Sequence, residues 1–158
     1  MKTKVSPVPQ GLHTVTPYLI IRDAAGAIEF YKKAFDATEV MRFTDPRSGK
    51  IGHAEIKIGD SSVMLADEYP DMGFRSPAAL GGSPVLLQLY VADVDALAKQ
   101  VEAAGAKVLR PVQDQFYGDR SGSFADPFGH VWNISTHTED VSEAELLKRS
   151  AAAFEKKS

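Results

Sequence analysis

A histidine and a glutamate two positions apart are the side chains in this sequence best suited to chemistry. His53 and Glu55 lie in the run GHAEIKI, which alternates polar and apolar residues as a half-buried strand does. Both side chains would leave the same side of a sheet, because side chains alternate along a strand. Such a pair can bind a divalent metal, with Asp67, Glu68 or His137 as further ligands. Alternatively, it contacts an organic ligand without a metal or is part of a polar surface.

Acid-base chemistry without a metal is a further possibility. Glu55 in an enclosed cup would be a candidate general base, with His53 as its partner. The chain has no Cys, which excludes disulfides, thiolate metal sites and a Cys nucleophile. It also has no Ser-His-Asp order with an elbow motif and no glycine-rich phosphate loop, and the pair Gly81-Gly82 is typical of a linker.

The elements that must position these residues follow from the hydrophobic pattern. In the first half we predict a strand, a helix and three more strands, over 18–21, 24–35, 38–44, 52–58 and 62–66. In the second half we predict the same order, over 85–91, 94–104, 107–110, 122–126 and 130–136. A last helix over 142–156 starts with a capping box, Ser142 and Glu145.

The order β-α-β-β-β thus occurs twice, and single residues mark the repeat. Asp23 and Asp93 stand where each helix would begin, and Gly59 and Gly129 stand at the same turn of each copy. We interpret residues 14–137 as one domain of two modules, at about 14–68 and 84–137, joined by a linker at about 69–83. An N-terminal arm (1–13) and a C-terminal helix or tail (138–158) would flank this domain.

Composition restricts the class of protein. The 158 residues are 44% hydrophobic and 25% charged, which is ordinary for a globular protein. A net charge of -3 provides no basic surface for nucleic acid. The N-terminal residues lack the apolar core of a signal peptide, and no apolar run approaches the roughly 20 residues that cross a bilayer. We therefore expect a cytoplasmic protein that binds neither nucleic acid nor membrane.

The segments RDAAGAIEFYKKAF and ADPFGHVW, together with the doubled βαβββ order, resemble the vicinal oxygen chelate superfamily, which includes glyoxalase I, extradiol dioxygenases and bleomycin-resistance proteins. Longer stretches around them look like its PhnB-like branch. The resemblance covers residues 14–137. It implies an α+β fold in which two tandem modules form cupped mixed sheets around a cleft, plus the C-terminal helix. It does not imply one activity, since the superfamily hosts unrelated chemistries.

The resemblance also implies where a metal would bind. Metal-dependent members place one His, Gln or Glu on each of four strands. The matching positions here are Thr16, Leu86, either Val63 or Leu65, and Asn133. Two of the four positions are aliphatic and cannot donate to a metal. We therefore predict no metal at the usual site of the superfamily and no other cofactor.

Strand parity indicates which side chains line the cup. The face that carries the aligned positions holds most of the polar and amphipathic residues, and the opposite face is aliphatic and would pack under the helices. Trp132 falls on the helix side, and His130 falls in a turn. Tyr117 and Arg120, in a loop that lies near the cleft mouth in the resembling branch, either contact the ligand or form an ion-paired loop. The predicted ligand-binding residues are Tyr18, His53, Glu55, Gln88, Tyr90, Tyr117, Arg120, Asn133 and Ser135.

Three functions remain open at this point. The first is a metal-free protein that binds a small organic molecule between the sheets. The second is a metal-dependent lyase or dioxygenase-like enzyme with a displaced site at His53 and Glu55. The third is a structural or regulatory dimer without a small ligand. We also expect a homodimer, because cupped sheets leave open edges and members of this superfamily commonly pair modules across subunits.

Overall fold

The computed structural model describes residues 5–156, so residues 1–4 of the predicted arm and residues 157–158 of the tail lie outside the description. The chain divides into two compact units, with the boundary between Gly82 and Ser83. We call them the first unit and the second unit. No helix within residues 5–156 is long and apolar enough to cross a membrane.

The first unit is a four-stranded mixed sheet with one long helix. Strand β1 pairs in parallel with β4, and β4, β3 and β2 follow as antiparallel neighbours, so the order is β1-β4-β3-β2. The elements are β1 (Tyr18–Ile21), α1 (Ala24–Phe35), β2 (Thr38–Thr44), β3 (Ile51–Ile58), β4 (Ser61–Asp67) and a short α2 (Pro77–Leu80).

The second unit repeats this topology with the order β5-β8-β7-β6, in which β5 and β8 are parallel. The predicted α+β fold of two βαβββ modules with a C-terminal helix is therefore confirmed. The elements are β5 (Leu86–Tyr90), α3 (Val94–Ala104), β6 (Lys107–Asp114), β7 (Asp119–Ala125), β8 (Val131–His137) and α4 (Glu143–Glu155).

The same capping devices hold the long helix of each unit. Asp23 and Asp93 are N-caps, and each side chain accepts a hydrogen bond from a backbone N–H three residues on, as the sequence predicts. A second cap comes from the end of the neighbouring strand. The Asp67 carboxylate accepts from the N–H of Ala24 at 2.8 Å, and the Thr136 hydroxyl accepts from the N–H of Val94 at 2.9 Å.

Each sheet has one face under its helix and one face away from it, which we call the open face. In the first unit the helix face carries fully buried aliphatic side chains such as Ile21, Ile56 and Leu65. In the second unit it carries Ile134 and Trp132, so the predicted core position of Trp132 is confirmed. The alternation that the sequence predicts therefore separates the two faces.

The structure alters two predicted segments. The predicted linker contains a 3-10 turn over Pro70–Met72 and the helix α2, whose N-cap Ser76 is fully buried. Strand β7 begins at Asp119, three residues earlier than predicted, and places Arg120 inside the sheet. Both differences change which residues belong to the site.

Candidate functional site

Three of the predicted site residues meet on the open face of the first unit. The Tyr18 hydroxyl on β1 lies 2.8 Å from Nδ1 of His53 on β3. On the other side of the ring, Nε2 of His53 lies 3.8 Å from Oε1 of Glu55. The His53 and Glu55 side chains are about a quarter and a fifth exposed, at 26% and 19%. Burial raises the pKa of Tyr18, so its phenol stays neutral.

A cavity of about 430 Å³ lies beside this group. Its volume falls in the range of small-molecule sites. Among the described residues, the lining includes Tyr18 but neither His53 nor Glu55. The strands contribute Tyr18, Ile20, Gly52, Ala66 and Asp67, and a loop contributes Tyr69, Met72 and Phe74.

Gly52 reaches this wall because β3 is irregular. Ile51 pairs with Thr44 and His53 pairs with Phe43, so Gly52 is an extra residue between two successive pairs. A Cβ placed on Gly52 would meet no atom nearer than 3.9 Å. A Cβ therefore fits at this position without disturbing the strand, and because Gly52 lines the cavity we expect a larger side chain there to occupy part of it.

The loop that completes the cavity is a folded segment. The backbones of Tyr69 and Phe74 exchange two hydrogen bonds, of 3.0 and 3.1 Å, around the 3-10 turn. Glu68 then ties the loop's far end to the strand. Its carboxylate accepts from the N–H and hydroxyl of Ser76, at 2.9 and 2.5 Å, and from Arg22 at 3.0 Å.

The two acidic residues at the end of β4 are therefore structural. The hydroxyl and the N–H of Ser76, followed by Arg22, lower the pKa of Glu68 to about 2. Asp67 uses one carboxylate oxygen on the N–H of Ala24 and the other on the N–H of Ile51, at 2.7 Å. The hypothesis that Asp67 and Glu68 add ligands to a metal at His53 and Glu55 does not fit these bonds.

The open face of the second unit carries a connected polar network. The amide of Asn133 donates to Gln88 at 2.6 Å and accepts from Ser123 at 2.8 Å. Gln88 in turn donates to the hydroxyl of Ser135 at 2.8 Å. The predicted residues Gln88, Asn133 and Ser135 are thus brought together, with their polar atoms bonded to one another.

Tyr90 belongs to a neighbouring chain of hydrogen bonds at the end of this face. Its hydroxyl donates to Asp119, which is buried, at 2.8 Å. The second oxygen of Asp119 lies 2.8 Å from Nδ1 of His137, and Asp140 lies 2.9 Å from Nε2. Asp140 and Asp119 raise the pKa of His137, and the bond to Asp119 raises the pKa of Tyr90.

Tyr117 and Arg120 are separated from each other by the structure. Tyr117 lines a recess of about 60 Å³ together with Asn133 and Ser123, a space suited to water rather than to an organic ligand. Arg120 is paired across the sheet with Thr136, the residue that caps α3, and binds Asp95 of that helix at 2.7 and 2.8 Å. Arg120 therefore forms ion pairs, as the alternative predicts, and contact of Tyr117 and Arg120 with a ligand stays a prediction.

A sequence model described as the Glyoxalase/Bleomycin resistance protein/Dioxygenase superfamily matches residues 11–134. The chain belongs to this superfamily. An uncharacterized protein of Mycobacterium tuberculosis is 45% identical over 135 residues, which are 84% of this chain and 79% of that protein. The anthracycline biosynthesis protein DnrV of Streptomyces peucetius is 30% identical over 119 residues, which are 71% of this chain and 42% of DnrV.

Solved structures of the superfamily fold agree with this assignment. TioX from Micromonospora sp. ML1 is 27% identical with a TM-score of 0.63, and the match covers 79% of this chain and 98% of TioX. A PhnB protein from Bacillus cereus has a TM-score of 0.61 over 78% of this chain and 99% of that chain, at 18% identity. That likeness shows the fold alone, so membership of the PhnB-like branch stays a prediction.

The superfamily's usual metal positions can now be tested against the residues that occupy them. Tyr18 pairs with Met64 and Gln88 pairs with Asn133, and Tyr18 and Gln88 precede Asp23 and Asp93 by equal distances. Met64 is therefore the counterpart of Asn133. The alignment to Val63 or Leu65 is wrong, because both are buried on the helix face.

The donors at these positions do not fit a divalent metal. Leu86 has no donor atom, and Met64 offers only a thioether, which suits soft metals. Both polar atoms of the Asn133 amide already have partners. Within residues 5–156, no group of three or more His, Asp or Glu side chains is placed so that it could hold a metal ion.

Sequence reasoning missed the loop side of the cavity. The prolines and glycines around Tyr69, Met72 and Phe74 predict a linker there. Two aromatic residues and a methionine within six positions are unusual for a solvated linker, and that was the available signal. Gly52 gave no signal, because its place in the wall depends on the irregular pairing of β3.

Proposed function

We propose that this protein binds a small, largely apolar organic molecule in the cavity on the open face of the first unit, without a metal. The observation that carries the proposal is the lining of that cavity. Tyr18, Tyr69 and Phe74 contribute aromatic surface, and the one carboxylate, that of Asp67, accepts a backbone N–H on each of its two oxygens. Few polar groups within an apolar wall are typical of sites for small organic ligands.

Further aromatic surface extends the cavity across the sheet. The rings of Tyr18 and His53 lie 5.5 Å apart, and the rings of His53 and Phe43 stack at 6.2 Å. Phe43 is 60% exposed. A flat aromatic ligand would cover this row of rings and remove its apolar surface from water. The name of the relative DnrV ties it to the biosynthesis of an organic compound class, which agrees with a pocket of this chemistry.

The chemistry of the donor positions supports binding without a metal. Met64 and Leu86 cannot serve a hard divalent ion, and Asp67 and Glu68 are committed to the fold around the cavity. An alternative remains at His53 and Glu55, whose facing atoms are 3.8 Å apart. A metal held there would need further ligands other than Asp67 and Glu68. The homodimer and the cleft between the modules stay predictions of the sequence.

A fluorescent apolar probe tests the proposal. N-phenyl-1-naphthylamine should bind the wild-type protein and brighten, and Gly52→Leu should weaken this binding at least about tenfold because the side chain fills the cavity. Lys57→Leu is the matched control, since Lys57 is exposed on the same strand. Melting temperatures of both variants would verify that they fold.

The same titration separates the three functions. Affinity that is unchanged after dialysis against EDTA and after addition of Zn²⁺ supports binding without a metal. Probe binding that requires a metal and is lost in His53→Ala would favour the displaced metal site. Wild-type protein that does not bind the probe, or a Gly52→Leu variant that binds it equally well, would overturn the proposed pocket.

A further inference from the structure

The polar end of the cavity is formed by a tyrosine whose proton has a defined acceptor. Tyr18 lines the cavity, and its hydroxyl lies 2.8 Å from Nδ1 of His53. The direction of this hydrogen bond depends on which nitrogen of the imidazole carries the proton. The surroundings of the other nitrogen decide that question.

Glu55 favours Nε2 as the position of the proton in a neutral His53 ring. Oε1 of Glu55 lies 3.8 Å from Nε2, too far for a hydrogen bond but close enough for a negative charge to favour an N–H on that side of the ring. A neutral imidazole has one N–H, so a proton on Nε2 leaves Nδ1 as an acceptor. The Tyr18 hydroxyl must then donate to Nδ1, since two acceptors cannot form a hydrogen bond.

This arrangement gives the Tyr18 oxygen one chemical character toward a ligand. Its single proton is used on His53, so the oxygen presents lone pairs to any further partner. A phenol keeps its proton at neutral pH, and burial raises the pKa of Tyr18 further above the ordinary value of 10.0. Tyr69, the other tyrosine that lines the cavity, differs, because a hydroxyl that is free to rotate can serve donors and acceptors alike.

We infer that Tyr18, positioned by His53 and Glu55, makes the pocket select apolar ligands that carry a hydroxyl or N–H donor over otherwise similar ligands that only accept. This inference rests on the proposed function of the pocket. The ligand class is therefore an aromatic or other apolar molecule with a phenol, alcohol or amine group at one end. Tyr18 is the contact residue, and His53 and Glu55 are positioning residues.

Competition between two naphthalenes tests the selection. In the wild-type protein, 1-naphthol should displace N-phenyl-1-naphthylamine about fivefold better than 1-methoxynaphthalene does, relative to their ratio in Tyr18→Phe, since one hydrogen bond is at stake. The comparison with Tyr18→Phe cancels the different water solubility of the two compounds. Tyr69→Phe is the matched control and should keep the preference.

His53→Ala should abolish the selection while the probe still binds. Without its acceptor, the Tyr18 hydroxyl can donate to the ether, so the advantage of 1-naphthol over 1-methoxynaphthalene should disappear. The ¹⁵N chemical shifts of the His53 ring should show the proton on Nε2 in the wild-type protein. If His53 had only a structural role, His53→Ala would leave the ratio of the two ligand affinities unchanged.

The outcomes distinguish the two proposals. Equal displacement by the two naphthalenes in the wild-type protein, or a proton on Nδ1 of His53, overturns the selection by Tyr18. If the selection fails but the wild-type protein binds the probe and Gly52→Leu does not, the proposed pocket still stands. A wild-type protein that binds none of the three compounds overturns both proposals together.

Discussion

The open faces of the two units carry different side chains on equivalent strands. In the first unit, a hydrophobic cavity lies beside one tyrosine-histidine pair. In the second unit, the side chains hydrogen-bond to one another and leave a recess of about 60 Å³. The pairing registers make the counterparts explicit, as Tyr18 with Gln88, Met64 with Asn133, Ala66 with Ser135 and Glu55 with Ser123.

The helix faces, by contrast, have been kept alike. Asp67 and Thr136 are counterparts, and both use the end of a strand to cap the adjacent helix. A residue in this role is required by the fold, because buried N–H groups at a helix start need acceptors. Side chains on the open face are not needed as acceptors for these N–H groups. The comparison teaches that the duplicated scaffold constrains one face and frees the other for binding.

Removal of each strand-end cap in turn should have the largest effect on the free energy of unfolding. Asp67 is 9% exposed and serves two backbone donors, whereas Thr136 serves one. Because a buried donor without an acceptor costs about 1–3 kcal/mol, we expect Asp67→Asn to lower the free energy of unfolding by about 3 kcal/mol and Thr136→Val by about 1 kcal/mol. Urea unfolding monitored by circular dichroism would measure both. An equal or larger loss for Thr136→Val would contradict this ranking.

Substitution of open-face residues of the second unit by their counterparts from the first unit should lower stability by less. We expect the double variant Gln88→Tyr, Asn133→Met to lose about 2 kcal/mol of stability, because it removes hydrogen-bond partners of the buried hydroxyls of Ser123 and Ser135. In a Gly52→Leu background, it should not gain binding of N-phenyl-1-naphthylamine. The reason is that the cavity of the first unit also needs a loop with Tyr69, Met72 and Phe74.

New probe binding by that variant would contradict the importance of the loop. It would show that the strand residues alone create the apolar site. The single variant Asn133→Met in the same background is the control, because it removes the network but adds no aromatic ring. Isothermal titration calorimetry would detect binding independently of the probe's fluorescence.

The sequence predicts the helix faces better than the open faces. Asp23, Asp93 and Trp132 were placed correctly because caps and apolar alternation are local patterns. Met64 was missed because a shift of one residue along a strand moves every side chain to the other face. The sequence predicts that Arg120 either contacts a ligand or forms an ion pair, but not its place within a strand, since that strand begins earlier than the turn residues around it suggest.

The loop 69–76 could not be predicted from its own composition. Its fold depends on Glu68, a residue of the strand end, which receives three hydrogen bonds from Ser76 and Arg22. Such contacts join positions that are separated in the sequence, and a local pattern carries no record of them. The cavity therefore becomes visible only when the strand and the loop are seen together.

The counterparts just beyond the strand-end caps should give the smallest effect, with opposite signs of pH dependence. Glu68 in the first unit has its pKa lowered to about 2 by Ser76 and then Arg22. Its stabilisation is present above the ordinary carboxyl value of 4.5 and is lost as the pH falls toward 2. His137, its counterpart in the second unit, has its pKa raised above 6.5 by Asp140 and Asp119.

The stabilisation from His137 is complete below pH 6.5 and is lost as the pH rises through the raised pKa of the folded state. Urea midpoints measured across pH should therefore fall at both ends. Glu68→Gln should reduce the fall on the acid side, to which Glu39 and Asp95 also contribute, and His137→Gln should reduce the fall on the alkaline side. If one substitution changed the pH dependence on both sides, the contributions of Glu68 and His137 to stability would not be independent.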